Sequence, residues 1–136
     1  MYDSILVPLA LDHGISAQTL EISRALCSEK GQITALHVYE VPKGSVSVYI
    51  GEETVERGFV RARQILNQKV AGMEGVRAEI TRGQAHLAII EYAKKHGHDC
   101  IVIGSHKPGL VDYLIGSTAA RVVRHAPCAV HVHRAS

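Results

Sequence analysis

A glycine followed by two hydroxyl residues, Gly116-Ser117-Thr118, stands near the C-terminus and could bind phosphate. It opens a segment with helical spacing that ends at His125, shortly before Pro127. The apolar run 100–104 precedes it and is typical of a buried parallel strand. Backbone N–H groups at a helix N-terminus, together with hydroxyls, attract anions. The segment therefore predicts a phosphate-binding loop, with an ordinary Ser/Thr helix cap as the alternative.

Several familiar sites are excluded by their spacing. The chain contains no GxxxxGK[ST], no GxGxxG after its first strand and no GxSxG. The acidic cluster of a receiver domain is also absent, because the third strand ends in Ile80-Thr81-Arg82. We identify no catalytic residues: His106 has no recognisable nucleophile beside it, and no paired carboxylates fall at loop ends. Any hydrolysis of a bound phosphate ester should therefore be slow.

Composition narrows the class of protein further. The 136 residues fit a single domain, 1–136, and the net charge of +2 with one Phe and five Tyr does not favour nucleic-acid binding. No apolar run approaches the roughly 18 residues of a membrane span, so we expect no membrane insertion. The three cysteines form no CxxC pair, and the first strand begins too early to leave room for a signal peptide. We expect a cytoplasmic protein with free, buried thiols.

The elements that must position the phosphate loop alternate regularly between strand and helix. Predicted strands cover residues 4–10, 33–39, 76–81, 100–104 and 128–133. Predicted helices cover residues 15–30 with Gly31 as the stop, 52–70, 85–96 with Gly97 as the C-cap, and 109–125 with a break near Gly116. This alternation predicts an α/β fold with three layers and a doubly wound parallel sheet. Ligands of such sheets bind outside the carboxyl ends of the strands, where the strand order reverses.

Nine histidines raise the question of a metal site. His131 and His133 lie on one face of the last predicted strand, and His96 and His98 flank Gly97. Each pair supplies two ligands, whereas zinc sites use three or four protein ligands. We therefore predict no resident metal; Mg²⁺ carried on bound phosphates is the more plausible ion.

Three stretches resemble the universal stress proteins: the opening YDSILVPL, the segment LHVYEVP at the end of the second strand, and IGSH…YLIGSTAARVVRHAPCAVHV. The resemblance covers essentially the whole chain and is most specific in the C-terminal third. It implies a five-stranded sheet of order 3-2-1-4-5 with four helices. It also implies a homodimer formed through the last strand, from Cys128 to His133, and ATP or AMP, possibly with Mg²⁺, bound in the crevice.

The resemblance assigns site residues position by position. Pro8, Leu9 and Ala10 would line the nucleoside pocket, and Val38 would pack near the adenine. Ile103, Gly104, His106 and Lys107 would follow the ribose and phosphates. The phosphate tail would lie on Gly116, Ser117, Thr118 and Ala119.

Two departures from the family pattern concern the same site. Ala10 replaces the aspartate of strand one, and the acidic Asp12 follows two residues later. The family pattern is Gly, two residues, Gly, nine residues, then Gly-Ser/Thr. Here Lys107 stands in place of the second glycine, eight residues separate it from Gly116, and Gly109 could serve as the displaced glycine. The cation of Lys107 can attract phosphate, with a solvated loop lysine as the alternative. The segment SHKPGLVDYLIGS resembles the pattern SHxPxxxxYLLGS of one subgroup of the family.

These observations leave three functions open. The leading hypothesis is a non-enzymatic ATP- or AMP-binding module of the stress response. The alternatives are a nucleotide-free, homodimeric interaction protein, which Ala10 and the shortened loop favour, and a slow ATPase.

Overall fold

Five strands alternate with four helices in the part of the chain that the computed structural model describes, residues 1–11, 15–40, 51–104 and 115–134. The strands are β1 (Tyr2–Pro8), β2 (Cys27–Tyr39), β3 (Val76–Arg82), β4 (Cys100–Gly104) and β5 (Ala129–His133). The helices are α1 (Ala17–Leu26), α2 (Glu52–Val70), α3 (Ala85–Lys95) and α4 (Ser117–His125). The strands pair in the order β3-β2-β1-β4-β5 and every neighbouring pair is parallel, which confirms the predicted doubly wound sheet.

Alternating side chains of the central strands build a separate core on each face of the sheet. Leu6 of β1 is fully buried on one face with Leu36 and Ile101, beneath α3 and α4. Ile5 and Val7 point to the other face, beneath α1. Because both faces are covered at residues 5–7 of β1 and 100–103 of β4, these segments are continuous apolar runs, without the polar positions of a half-exposed strand.

Helix α2 covers the remaining part of the second face. Leu66 and Val70 pack with Ala35 of β2, and Ile80 of β3 lies against this cluster. The buried residues of α2 are Ala62, Leu66 and Val70, which recur at helical spacing, and the predicted bounds of this helix, 52–70, are confirmed. Among the helices of the described ranges, none combines the length and hydropathy that crossing a lipid bilayer requires.

The prediction of a first helix from 15 to 30 that stops at Gly31 is wrong. Ser16 caps α1, its hydroxyl accepting the Thr19 N–H at 3.0 Å, and the chain becomes extended already at Cys27. Gly31 lies inside β2, where a Cβ would come within 2.6 Å of the Cys27 sulfur and 3.0 Å of the Tyr2 carbonyl oxygen. The glycine thus permits close approach of two strands. Pairing of Tyr2 with Cys27 extends the sheet at the expense of the last helical turns.

The strand order reverses around β1, which pairs with β2 on one side and with β4 on the other. The connections after β1 and after β4 therefore leave the sheet towards opposite faces, and a crevice opens between their starting points. Pro8 and Gly104, the last residues of these two strands, border this crevice. The predicted position of the site relative to the sheet follows from this topology.

Replacement of Leu66 by alanine should destabilise the fold far more than replacement of Val60, which lies on the same helix. Leu66 is 1% exposed and Val60 is 50% exposed. We expect Leu66→Ala to lower the free energy of unfolding by about 2–5 kcal/mol and Val60→Ala by less than about 0.5 kcal/mol. Urea denaturation of both variants measures the difference. Equal losses would contradict the orientation of α2.

Candidate functional site

Three residues that the sequence assigns to the site come together on the α3/α4 face of the sheet. Ile103 of β4 and Ala119 of α4 are buried in one apolar cluster, and the half-buried Val38 of β2 packs against it. Ile115, just before α4, also packs against this cluster. Val38 and Ile103 lie near the carboxyl ends of their strands. The partly exposed side chains of Val38 and Ile115, above the buried Ile103 and Ala119, therefore provide a small apolar surface beside the crevice, suited to contact with a flat, apolar ring.

The first turn of α4 borders this apolar surface and presents backbone donors. Gly116 is the N-cap, Ser117 is exposed and Thr118 is half-buried. The first backbone bond in the helix is donated by Ala120 to the carbonyl of Gly116, so the N–H groups before it have no partner inside the helix. In the described part of the chain no side chain caps this end, and the first turn contains no acidic residue.

Two other helices have a hydrogen-bond acceptor at their first turn, and the start of α2, which among the described residues also lacks a side-chain cap, contains two acidic residues. The Ser16 hydroxyl accepts from the Thr19 N–H at the start of α1. The Glu40 carboxylate accepts from the Ala85 N–H at 2.9 Å at the start of α3. Within the described ranges, the first turn of α4 contains serine, threonine and alanine and no carboxylate to meet the partial positive charge of the helix N-terminus. This end of α4 is therefore the described helix start best suited to an external anion.

The loop that leaves β1 is held against β2 through the backbone of Leu9. The Leu9 N–H donates to the Leu36 carbonyl at 2.9 Å, and the His37 ring donates from Nδ1 to the Leu9 carbonyl at 3.1 Å. The Leu9 side chain packs towards α2, on the face opposite to Val38. Leu9 can therefore border the site only with its backbone. Pro8 is half-buried and Ala10 is exposed.

The rest of the predicted loop is only partly described. Gly104 ends β4 in an exposed position, and no described atom lies within 4 Å of where a Cβ would stand. His106, Lys107 and Gly109, and also Asp12, lie outside the described residues. Their predicted contacts with a ligand stay predictions.

Sequence reasoning missed His37 as a residue of this region. The signal was present: His37 interrupts the apolar end of β2, where the neighbours on the strand are Leu36 and Val38. A polar side chain at the carboxyl end of a buried strand is a reasonable candidate for a function. The partner of its Nδ1, however, stands 28 residues earlier in the chain, so that spacing alone does not identify it.

The two histidine pairs do not form metal sites in the described ranges, which contain no group of three or more potential ligands. His98 is buried; its Nδ1 lies 2.9 Å from the Ser4 hydroxyl, and its ring stacks on Tyr92. His96 packs on the same tyrosine ring, with 4.2 Å between the centroids. In the other pair, His131 is exposed and His133 is buried. The 96/98 pair therefore packs against one aromatic ring near the amino ends of β1 and β4.

Burial and hydrogen bonds shift the pKa values of three groups near the amino ends of β1 and β4. Burial lowers the pKa of His98 below 6.5, although the bond to Ser4 and the Asp99 carboxylate oppose this effect. Burial raises the pKa of Asp99, but the N–H groups of Asp3 and Ser4, at 2.9 and 3.0 Å, outweigh it, and the pKa is lowered. Burial raises the pKa of the Cys100 thiol to about 11, so it stays protonated at neutral pH and is a poor nucleophile.

Comparison with known proteins gives a consistent result. A profile of the universal stress protein family matches residues 1–134. The chain is 28% identical over 136 residues to universal stress protein A homolog 2 of Coxiella burnetii, covering 95% of this chain and 92% of that protein. A solved universal stress protein of Lactobacillus plantarum is 27% identical, with a TM-score of 0.69 and 98% of both chains covered. A family protein of Arabidopsis thaliana, solved with AMP bound, shares the fold at 19% identity and a TM-score of 0.61, covering 98% of this chain and 92% of that chain.

The buried imidazole of His98 should make the stability of the fold depend on pH. Because its pKa is lower in the folded chain than the ordinary 6.5, the unfolded chain binds the proton more readily. Stability is therefore retained above about pH 6.5 and declines as the pH falls towards the pKa of the folded state. Urea denaturation between pH 5 and 8 should show the advantage of wild type over His98→Gln shrinking at low pH. His125→Gln, at the exposed end of α4, is the control; a constant difference for His98→Gln would contradict the prediction.

Proposed function

The chain belongs to the universal stress protein family, and on that premise we propose that it binds an adenine nucleotide, ATP or AMP. The observation that carries this proposal is a juxtaposition at the carboxyl edge of the sheet. The apolar cluster of Ile103 and Ala119, with the half-buried Val38 packed against it, lies beside the uncapped start of α4. An adenine nucleotide has the same two halves, a flat ring and an anionic phosphate chain. A pocket with a mostly apolar lining and a few convergent donors is typical of such ligands.

Each half of the ligand has proposed partners in the described residues. Val38 packs near the adenine, Pro8, Leu9 and Ala10 border the nucleoside, and Ile103 and Gly104 follow the ribose. Gly116, Ser117, Thr118 and Ala119 hold the phosphates with backbone N–H groups and hydroxyls. In the same proposal His106, Lys107 and Gly109 complete the phosphate loop, and Mg²⁺ accompanies ATP on its phosphates. The AMP bound to the Arabidopsis thaliana protein of the same fold supports an adenine nucleotide as the ligand.

The proposed role is binding rather than catalysis. The described residues of the site have no titratable side chain that could deprotonate a water molecule at neutral pH: they are apolar, glycine, serine or threonine. Ala10 presents a methyl group where a polar side chain could have accepted from the ribose. Nucleotide binding would instead change which conformation or partner contact the protein prefers, as a sensor does. We place this role in the stress response and in the cytoplasm, a location that the free thiols of Cys27, Cys100 and Cys128 support.

Removal of the two hydroxyls at the start of α4 should weaken ATP binding. In the double variant Ser117→Ala/Thr118→Val, hydrogen bonds to a charged phosphate are lost, and we expect the affinity to fall by about tenfold. Titration calorimetry with ATP and Mg²⁺ measures the change. Ser16→Ala is the matched control, because it removes the hydroxyl cap of another helix, α1, and should leave the affinity unchanged.

The same titrations separate the three candidate functions. Absence of wild-type binding at millimolar ATP would contradict the proposal and favour the nucleotide-free interaction protein. Mass spectrometry of the gently purified protein gives an independent answer, because only a binding protein should retain a nucleotide. Steady phosphate release that Ser117→Ala abolishes would instead identify a slow ATPase.

The proposal includes a homodimer formed through the last strand. β5 and β3 are the two edges of the sheet, and edge strands must be covered or protected by charge. β3 is protected by the ion pair of Arg77 with Glu79 and by Arg82. β5 contains no Asp, Glu, Lys or Arg and exposes Ala129 and His131. The less protected edge is the one that a second copy can cover.

Lysines at the two exposed positions of β5 should prevent dimer formation. In Ala129→Lys/His131→Lys, facing strands would bring like charges together, and we expect a monomer where wild type is a dimer. Light scattering after size exclusion measures the mass. Val123→Lys, on the exposed side of α4, is the control and should stay dimeric. A monomeric wild type would exclude this interface.

A further inference from the structure

The side chain of His37 connects the end of β2 to the loop that leaves β1. Its Nδ1 lies 3.1 Å from the carbonyl oxygen of Leu9, and the Leu9 N–H donates to the Leu36 carbonyl at 2.9 Å. A carbonyl oxygen only accepts hydrogen bonds, so Nδ1 must carry the proton and donate. Two consecutive peptide groups, one on each side of the Leu9 Cα, are therefore tied to β2.

This double attachment determines where the chain runs next. The second attached peptide group contains the N–H of Ala10, so its orientation fixes the direction in which Ala10 leaves the sheet. Ladder pairing of β1 with β2 ends at Pro8, which has no N–H to donate. The bond from His37 thus continues the attachment beyond the last paired residue. Without it, the Leu9 carbonyl would need another donor.

Neighbouring side chains at the end of β2 point to opposite faces of the sheet. Val38 packs against the apolar cluster under α3 and α4, whereas the preceding His37 points to the α1/α2 face. His37 lies opposite Ile80 in the ladder, next to a cluster that Leu9 and Leu11 also join. An aliphatic residue would suit that apolar setting at least as well. The imidazole is thus best explained by the hydrogen bond that it donates.

We propose that His37 is a positioning residue of the ligand site: by fixing the Leu9 peptide it sets the distance between the β1 loop and the apolar surface at Val38. The ligand fits between these two walls. The inference rests on the nucleotide-binding function proposed above and adds a residue that does not contact the ligand. It predicts that loss of the Nδ1 donor weakens binding through the loop, with α4 and its hydroxyls unchanged.

Three substitutions separate the donor from the bulk of the ring. In His37→Asn the amide nitrogen stands at the same number of bonds from Cβ as Nδ1 and can donate to Leu9. In His37→Gln the nitrogen stands one bond further out, and His37→Leu has no donor. We expect the Leu and Gln variants to bind ATP about three- to tenfold more weakly by calorimetry and the Asn variant to stay within about twofold of wild type. His125→Leu, at the opposite edge of the sheet, is the control.

Hydrogen exchange of the ligand-free proteins gives a second readout that a general loss of stability would not produce. The amide of Leu9, which donates to the Leu36 carbonyl, should exchange faster in the Leu and Gln variants, whereas the amide of Ala120, which donates to the Gly116 carbonyl in α4, should be unchanged. Equal ATP affinity of His37→Leu and wild type, or failure of Asn to restore the binding lost in Leu, would overturn the inference. Wild type that binds no ATP would instead refute the proposed function. Exchange of the Leu9 amide that is unchanged in all variants would overturn the role of His37 in either case.

Discussion

Parallel pairing of β1 with strands on both of its sides is the constraint from which the rest of the molecule follows. Leu6, Leu36 and Ile101 of three neighbouring strands are fully buried in one apolar cluster, and Ile5 and Val7 are buried on the opposite face. Water is excluded from both faces at residues 5–7, so the backbone groups of this buried part of β1 must pair with the neighbouring strands. The connections after β1 and β4 then diverge to opposite faces, and this divergence opens the crevice.

The edge of the sheet formed by the amino ends of the strands differs from the edge formed by their carboxyl ends in how its polar groups are satisfied. At the amino edge, Asp99 accepts from the N–H groups of Asp3 and Ser4, and His98 lies against the Ser4 hydroxyl. Polar groups there are satisfied by one another. At the carboxyl edge, the first turn of α4 has no side-chain cap in the described residues, and the apolar surface beside it is only partly covered. Unsatisfied donors beside uncovered apolar surface favour a ligand with a matching anionic and apolar half.

The residues at this edge of the sheet suit the proposed binding role. Backbone N–H groups and hydroxyls bind an anion without reacting with it, and the neighbouring side chains of Val38, Ile103 and Ala119 are inert. The loop after β1 contributes its backbone, because the Leu9 side chain packs towards α2 and Ala10 has only a methyl group. Positioning of that backbone therefore matters more than the identity of its side chains. His37 supplies a bond suited to such positioning.

Some elements could be predicted to the residue. The bounds of α2 and β4 were correct because a long periodic stripe and a short apolar run bounded by glycine are both local signals. The end of α1 is not set by a local signal. Cys27 leaves the helix because it pairs with Tyr2, and Gly31 permits that approach. Gly31 is required for a close strand contact and is not the predicted helix stop. Helix stops and close strand contacts favour the same residue type.

The amino-acid sequence by itself determined the alternation of strands and helices, the two-sided burial of the sheet and the donor-rich start of α4, because periodicity and residue type are properties of short segments. Only the tertiary structure decided which side chains meet at the crevice. It brought Val38 and Ala119 to one cluster across 80 residues of chain and turned the Leu9 side chain away from it. It also gave His37 its partner. Such contacts depend on strand register and on the face of the sheet to which each residue points, and these are fixed only when the whole sheet assembles.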